Sequence, residues 1–444
     1  MHQETISIIK NAGVVGAGGA GFPTHVKVSA AVDIIIVNGA ECEPLLRVDQ
    51  QLMDVMAAEM LKGLEIVMKA TGAKESIIAL KAKYTKAVAT LEKEIAQKSI
   101  KIHILEDFYP AGDEHVTLHE ATGRLIPQGG IPVKVDSIVI NVETLINVYN
   151  ASKGKPVTHS YLTVTGEAAT PVTIKMPIGA TIKEALEVAG VKINPNLAVI
   201  NGGPMMGKIE EDLNQPITKT TKGLIVLPED HQLVKKRKMT PAKIIKQTKA
   251  ACIQCRYCTD LCPRYLLGHK LEPHKIMRSI RNFQSQNEVM KMAMICSECG
   301  VCEQYACIMH LSPKTINAVL KQEFWKKGIK ANDPPTDQQI NKVREHRKIP
   351  VKRLISRLGL TKYDMYAPLI EKEIIVNKVY IKLKQHVGVP GIPTVKVGQK
   401  VQVGDNIASI PENALGANIH ASITGKITEI TEDSIVITKI EGSK

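Results

Sequence analysis

Across residues 1–150, short β-branched runs alternate with stretches whose apolar residues recur at helical spacing. Asp33–Asn38, Ser76–Leu80, Lys101–Leu105 and Ser137–Asn141 predict strands, and Gln50–Thr71 predicts a helix, so this part reads as an α/β layer. Residues 158–227 carry two short strands, Tyr161–Thr165 and Val172–Met176, then a helix at Ile182–Ala189 and a strand at Leu197–Ile200. Strands gathered around one helix suggest a β-grasp module. Asn201–Gly207 is a turn cluster whose methionines read as core filler. Pro228–Thr240 reads as a charged linker, followed by a helical, cysteine-bearing region to about Leu320. Lys326–Arg347, with Pro334-Pro335, reads as a polar connector. From Val376 onward the pattern changes to short strands and glycine turns: Val379–Leu383, Gln399–Val403, Asn406–Ile410, Gly425–Ile430 and Ser434–Thr438.

A chain of 444 residues is too long for one ordinary domain, and the pattern divides it into four. Aromatic residues are only 3% of the chain, so its cores must be built from Ile, Val, Leu, Ala and Met. The formal charge of +14 suits anionic partners or a lysine-rich solvated surface. Basic stretches such as Lys235–Lys238 have no interleaved aromatics, which argues against a nucleic-acid platform. No apolar run approaches the roughly 18 residues that a membrane-spanning helix needs. Met1–Lys10 lacks the charged start and apolar stretch of a secretory signal. Nine cysteines in such a chain point away from disulfides and toward metal, since eight fall in two tight groups. The expected location is the cytosol.

The first group is Cys252-Ile-Gln-Cys255-Arg-Tyr-Cys258-Thr-Asp-Leu-Cys262-Pro263. Its spacing is that of bacterial two-cluster ferredoxins. The second is Cys296-Ser-Glu-Cys299-Gly-Val-Cys302 with Cys307, where the last gap is one residue longer and Ile308 stands in place of proline. Three thiolates at i, i+3 and i+6 on a tight loop can each reach a different iron of one cubane, and the fourth iron needs a ligand from elsewhere. In paired runs the fourth cysteine serves the other cluster. One [4Fe–4S] cluster is therefore assigned to Cys252, Cys255, Cys258 and Cys307, and the second to Cys296, Cys299, Cys302 and Cys262. Structural zinc is the competing reading, but zinc uses paired C-x2-C elements and leaves the third cysteine of each triplet without a role. Cys42 reads as a small buried hydrophobe.

Gly16-Ala-Gly18-Gly19-Ala-Gly21-Phe22-Pro23 lies between a short helical start and a strand. Such a run lets backbone N–H groups approach a phosphate, with Lys27 adding a cation. It is irregular as a dinucleotide fingerprint, because the glycines do not follow a strand. Asn38-Gly-Ala-Glu41-Cys42-Glu43 sits just past a strand's carboxyl end, where open α/β sheets hold ligands and acids can receive ribose or ribityl hydroxyls.

Together these segments resemble the flavin-binding fold of the respiratory complex I 51 kDa subunit and the Rnf complex C subunit. The resemblance implies FMN, with Gly16, Gly18, Gly19 and Lys27 at its phosphate and Asn38 and Glu41 as flavin contacts. Phe22 and Glu43 match positions near the nicotinamide nucleotide, and Glu114 matches part of an acidic flavin loop. Asn141-Val-Glu-Thr144 resembles the family's Asn-Val-Glu-Thr element, with Asn141 and Thr144 near FMN. Ala17 replaces an arginine of the complex I version and Ala40 an aspartate. GVVGAGGAGFPTHVK, VDQQLM, YPAGDE, NGGPMMG, CPRYLLGH, IPVKRLISRLGL and NALGANIHASITG are similar, nearly end to end, to the PduS-type cobalamin reductases of propanediol-utilisation microcompartments.

The implied fold is multidomain: an FMN/NADH-binding α/β domain (1–150), an SLBB β-grasp domain (158–227), a two-cluster ferredoxin-type helical domain (241–322) and an RnfC-like barrel-sandwich hybrid (375–442). The last resembles lipoyl and biotinyl carriers, but Ala421–Gly425 presents no lysine at the usual hairpin, so it reads as a docking or scaffold module. The implied function is an NADH-dependent cobalamin reductase using FMN and two [4Fe–4S] clusters, with no catalytic side chain assigned. Implied partners are cobalamin or a cobalamin-handling enzyme, with a microcompartment shell or adenosyltransferase beyond it, and the location becomes the cytoplasm or the microcompartment interior. The alternative is an Rnf-like, non-enzymatic conduit feeding a partner such as a proline-reductase system. A nucleic-acid role rests on the charge alone.

Overall fold

The computed structural model describes residues 2–95, 98–280, 288–331, 334 and 337–440. The outer ends of the expected spans 1–150 and 375–442, part of 241–322, and Pro335 lie outside the described residues.

The N-terminal unit is built on β1 (Ile34–Gly39), β2 (Glu75–Lys81), β3 (Ile100–Leu105) and β5 (Ser137–Asn141), with a two-residue β4 (Phe108–Tyr109) between the last two. The four long strands form a parallel sheet in the order β3-β2-β1-β5. Both faces are covered, which is why these strands read as continuous apolar runs. Ile35 and Val37 of β1 turn into the core shared with α1 (His2–Asn11), α4 (Ala57–Thr71) and α7 (Val142–Ser152), with α2 (Thr24–Lys27) beside them. Ile36 turns the other way, toward Val116 and Leu118 of α6 (Glu114–Thr122). The single helix expected over Gln50–Thr71 is two, α3 (Val48–Val55) and α4, because Met56 leaves helical geometry at φ −127°. A further helix, α5 (Thr85–Glu94), connects β2 to β3.

The next unit has β6 (His159–Gly166), β7 (Val172–Pro177), β8 (Leu197–Asn201), β9 (Lys208–Glu210) and β10 (Gly223–Pro228) in one mixed sheet, ordered β7-β6-β10-β8-β9. Its helix α8 (Ile182–Val188) opens with a capping box between Thr181 and Glu184 and buries Ile182, Ala185 and Leu186. The stretch expected to be a charged linker contains α9 (Gln232–Arg237), which buries Leu233 and Val234. Two apolar residues in a basic segment suffice to dock it. Lys236 and Arg237 then turn inward, Lys236 donating to the Glu303 carbonyl at 2.6 Å and Arg237 to the Gly207 and Pro204 carbonyls.

The cysteine-bearing unit packs α10 (Pro241–Ala251), α11 (Tyr257–Asp260), α12 (Pro263–Leu266), α13 (Pro273–Ser279), α14 (Glu288–Lys291) and α15 (Pro313–Lys326) around Ile276, Met290, Ile316, Leu320 and Phe324. The polar connector expected at Lys326–Arg347 is anchored at its far end. Arg344 is buried and paired with Glu120 of α6. The chain then returns to the first unit, where β11 (Ile349–Pro350) pairs antiparallel with β4, Ile349 opposite Tyr109, before α16 (Val351–Arg357).

At the C-terminus, β12 (Lys378–Lys382), β14 (Lys400–Val401), β17 (Gly425–Ile430) and β18 (Ser434–Thr438) form one small sheet. A second sheet contains β13 (Ile392–Pro393), β15 (Asn406–Ser409) and β16 (Ile419–His420). Their apolar residues join the core of the first two units. Among the described residues no helix is long and apolar enough to cross a membrane.

Gly63 sits where α4 crosses α7, and a Cβ there would lie 2.0 Å from the Leu145 carbonyl oxygen. Alanine favours a helix over glycine by about 1 kcal/mol, but forcing the helices apart costs about 1–3 kcal/mol. Gly63→Leu, whose side chain cannot be accommodated, is expected to lower the midpoint in a thermal melt, whereas Gly72→Ala, with open space but φ +74°, tests backbone strain separately.

Candidate redox centre

The eight grouped cysteines line two cavities. Cys252, Cys255, Cys258 and Cys307 line one of about 340 Å³, open solvent at its mouth included. Cys262, Cys296, Cys299 and Cys302 line a second of about 290 Å³. Each thus takes three sulfurs from one run and the fourth wall from the other. The two loops repeat one backbone path: φ is positive at Gln254 and Arg256 in the first and at Glu298 and Gly300 in the second. These are the residues on either side of the middle cysteine of each triplet, so the chain twists twice within the spacer to turn successive side chains inward.

The longer second gap has a local cause. After Cys258 the chain turns through α11 to Cys262, but Val301–Ala306 is a π-helix. A π turn takes one extra residue per hydrogen-bonded ring. The insertion is absorbed there, and Cys307 reaches the cavity wall that Cys262 reaches in the other run. Pro263 begins α12 directly after Cys262. After Cys307 the chain instead runs through Ile308 and His310, at φ +52°, and its helix-starting proline is Pro313.

As free thiols the more buried of these groups resist ionisation. Burial first, and neighbouring sulfurs or charges second, push Cys258 up to about 12, and burial pushes Cys262 up to about 12. Iron compensates thiolates directly, so a buried four-sulfur set suits a multi-iron group. N–H donors already point at sulfur: Leu311 N at 3.3 Å from Cys307 Sγ, Glu298 N at 3.4 Å and Asn317 Nδ2 at 3.5 Å from Cys296 Sγ.

The flavin candidates gather at the carboxyl ends of β1 and β5. Ala17 N donates to Thr144 Oγ1 at 3.0 Å, and a Cβ on Gly18 would fall 2.8 Å from Asn141 Nδ2. Gly16 N is held by the Phe22 carbonyl, while Gly19 faces open space. Asn141 Oδ1 accepts from the N–H groups of Glu143 and Thr144, capping α7, and its amide donates to both oxygens of Asp49 at 2.9 Å. Asp49 N donates in turn to Glu41, whose φ is +38°. Burial raises both carboxyls, and the Glu41 charge raises Asp49 further. Lys27 bridges Glu114, at 3.1 Å, and the Val139 carbonyl, at 2.8 Å. Asn38 donates to the Gly112 carbonyl at 2.9 Å. The open face at Gly19 and the Lys27 ammonium, set at the carboxyl ends of β1 and β5, make a cradle that fits a phosphorylated flavin.

Two candidates stand apart. Phe22 is exposed at the end of the glycine loop. Glu43 turns toward the Asn201–Gly207 turn, its two oxygens accepting from Met205 N at 2.9 Å and Met206 N at 2.8 Å. Gly203 is what allows this approach, since a Cβ there would lie 2.1 Å from the carboxylate. Burial, only partly offset by those two N–H groups and Arg237, lifts Glu43 to about 7.

Sequence reasoning missed the groups that join the two sites. Arg264, one residue past Cys262-Pro263, pairs with Asp113 at 2.5 Å, both side chains nearly buried. Asp113 also caps α6. Tyr109 donates its hydroxyl to the Cys299 carbonyl at 2.6 Å, and Cys42, half-buried rather than fully buried, packs in the same cluster beside Gly112. The second cavity therefore abuts the flavin cradle. YPAGDE and CPRYLLGH were visible as motifs, but nothing in their spacing says that Asp113 meets Arg264.

Comparison with known proteins gives three family models: the Nuo51 FMN-binding domain over residues 9–150, a 4Fe-4S dicluster domain over 251–312, and the RnfC barrel sandwich hybrid domain over 361–441. Cobalamin reductase PduS of Salmonella typhimurium is 44% identical over 97% of this chain and 95% of its own length. The Citrobacter freundii protein of the same name is 45% identical with the same coverage. The C component of the Na(+)-translocating ferredoxin:NAD(+) oxidoreductase complex of Acetobacterium woodii is 35% identical over 58% of this chain and 57% of its own. Among solved structures, an NAD+-reducing [NiFe]-hydrogenase in the H2-reduced state matches with a TM-score of 0.50 at 19% identity, covering 75% of this chain and 64% of that one, which is a likeness of fold.

Removing one partner of the Asp113–Arg264 pair leaves a buried charge, a loss of about 3–5 kcal/mol, so Arg264→Met should lower unfolding midpoints strongly. Burial would raise Asp113, but Arg264 outweighs it and the carboxyl lies below its ordinary value. Its stabilisation is therefore full above pH 3.8 and is lost as pH falls below that, so Asp113→Asn should flatten the acid limb of a stability profile. Glu43 has the opposite sign: its contribution is full below pH 4.5 and declines as pH rises to about 7, and Glu43→Gln should remove that decline in denaturant titrations.

Proposed function

Because the chain belongs to the PduS family of cobalamin reductases, we propose that it is an NADH-dependent reductase that delivers electrons to the cobalt of a corrinoid. Bound FMN would take hydride from NADH, and the two clusters would carry the electrons onward one at a time. The observation that carries this reading is the pair of contacts that join neighbours of the two sites: Tyr109 donates to the Cys299 carbonyl, and Asp113, beside Glu114, pairs with Arg264, beside Pro263 of the inner cavity.

The residues divide the work as follows. Gly16, Gly18, Gly19 and Lys27 hold the flavin phosphate, a role supported by the open face of Gly19 and the fixed ammonium of Lys27. Asn38, Glu41, Asn141 and Thr144 bind and orient the flavin, with Glu114 holding Lys27. The raised Glu41–Asp49 pair is a place to hold a proton next to it. Phe22, exposed at the loop, receives the nicotinamide nucleotide. Glu43, the other residue matched to the nucleotide position, holds the Asn201–Gly207 turn through Met205 N and Met206 N. Cys262, Cys296, Cys299 and Cys302 bind the inner cluster, and Cys252, Cys255, Cys258 and Cys307 the outer one, assignments supported by the lining of the cavities. The four units would then be the domains of this electron path, with the barrel-sandwich hybrid as scaffold. We place the protein in the cytoplasm or a microcompartment interior, with an adenosyltransferase or shell protein as neighbour.

Anaerobic addition of NADH to reconstituted protein with hydroxocobalamin should bleach the flavin, produce cluster EPR signals and shift the corrin bands. Cys255→Ala with Cys299→Ala should keep flavin bleaching and bring corrin reduction down to the rate of free flavin. Normal corrin reduction by that variant would remove the clusters from the path.

A further inference from the structure

The two cavities meet solvent differently. In the inner cavity Cys262, Cys296 and Cys302 are buried and Cys299 is half-buried, whereas in the other cavity only Cys258 is buried, Cys252 and Cys307 are half-buried and Cys255 is exposed. Around that outer opening stand four large apolar side chains: Ile253 is 58% exposed, Tyr257 46%, Ile308 47% and Met309 41%. All four lie in or beside the spacers between the cavity's own cysteines. An apolar group this concentrated at one opening marks a contact surface.

Its surroundings are basic. Helix α10 ends at Cys252 and carries Lys243, Lys246 and Lys249, all exposed, with no acidic residue. At a rise of about 1.5 Å per residue, the backbone positions of these lysines are spaced about 4.5 Å apart along the helix leading away from the opening. Arg256 follows within the loop, and Arg357 and Lys236 lie near enough to His310 to act on its charge. The acids at hand are engaged: Asp260 pairs with Arg256 at 3.2 Å, and the buried Glu303 carboxylate accepts from Thr315. Among the described residues the uncompensated charge at the rim is that of the three α10 lysines, and it is positive.

We propose that this patch is the docking surface for an acidic redox protein, which receives electrons across the cavity lined by Cys252, Cys255, Cys258 and Cys307. The inference rests on the reading that the cavities hold iron–sulfur clusters. Each encounter transfers one electron; the outer cluster is oxidised by one and the partner's redox centre reduced by one, with no bond made or broken. Apolar contact at the centre with opposite charges at the rim suits a small, short-lived electron-transfer interface, where charge sets the encounter rate.

The test uses the full chain loaded with flavin and clusters, reduced by NADH and mixed anaerobically with oxidised flavodoxin, an acidic flavin protein, or with free hydroxocobalamin. The second-order rate to flavodoxin should fall steeply as ionic strength rises, and Lys246→Glu with Lys249→Glu should lower it about tenfold or more at low salt. Cluster EPR signals and the hydroxocobalamin rate should be unchanged in that variant. A flavodoxin rate indifferent to salt and to charge reversal, with cluster signals intact, would overturn the docking surface. An equal loss with hydroxocobalamin would overturn the protein partner and make the patch a seat for the free corrinoid. Absence of cluster signals in the unmutated protein would overturn the cluster reading instead.

Discussion

Neither four-sulfur cavity can be made from one stretch of chain. Cys307 closes the cavity opened by Cys252, Cys255 and Cys258, and Cys262 closes the one opened by Cys296, Cys299 and Cys302. The two runs must therefore dock before either cavity exists, and the helices around Ile276, Ile316 and Phe324 serve that docking. This interlock explains why a one-residue insertion in the second run is matched by a π-helix. The closing sulfur has to arrive at a fixed place, so the added residue is taken up inside the turn.

The same constraint reaches into the first unit. Arg264 is fixed by Cys262 and Pro263 on one side and held by Asp113 on the other, and Asp113 also starts the helix that carries Glu114. Glu114 in turn fixes Lys27. A continuous set of ion pairs and caps thus runs from the inner cavity to the loop proposed for the flavin phosphate. The nearly buried Asp113–Arg264 pair adds little net stability, but breaking it strands a charge. The effect of the set is to make the relative placement of the two sites stiff, as transfer between fixed centres requires.

Much of this was legible in the residues. The strands of the first sheet stood out because burial on both faces leaves continuous runs such as Ile34–Val37, and the cysteine spacing named the chemistry. The flavin elements were recognised by their resemblance, and the family models and PduS relatives support the same architecture. What stayed hidden depended on partners distant in sequence. Pro228–Thr240 looked solvated because its charges outnumber Leu233 and Val234, yet Lys236 and Arg237 find buried carbonyls. Arg344 looked like part of a connector until Glu120 is seen opposite it. Glu43 matched a nucleotide position by family resemblance, while its oxygens are committed to a turn in the next unit.

The pairing of β4 with β11 carries a consequence for biogenesis. Phe108–Tyr109 emerges from the ribosome early, but its strand partner, Ile349–Pro350, comes only after the β-grasp sheet and both cysteine runs have been synthesised. Closing so long a loop is entropically costly unless the intervening domains are already compact. The nascent first unit must wait with that edge unpaired, and the chain locks shut only behind a finished cysteine-bearing insert.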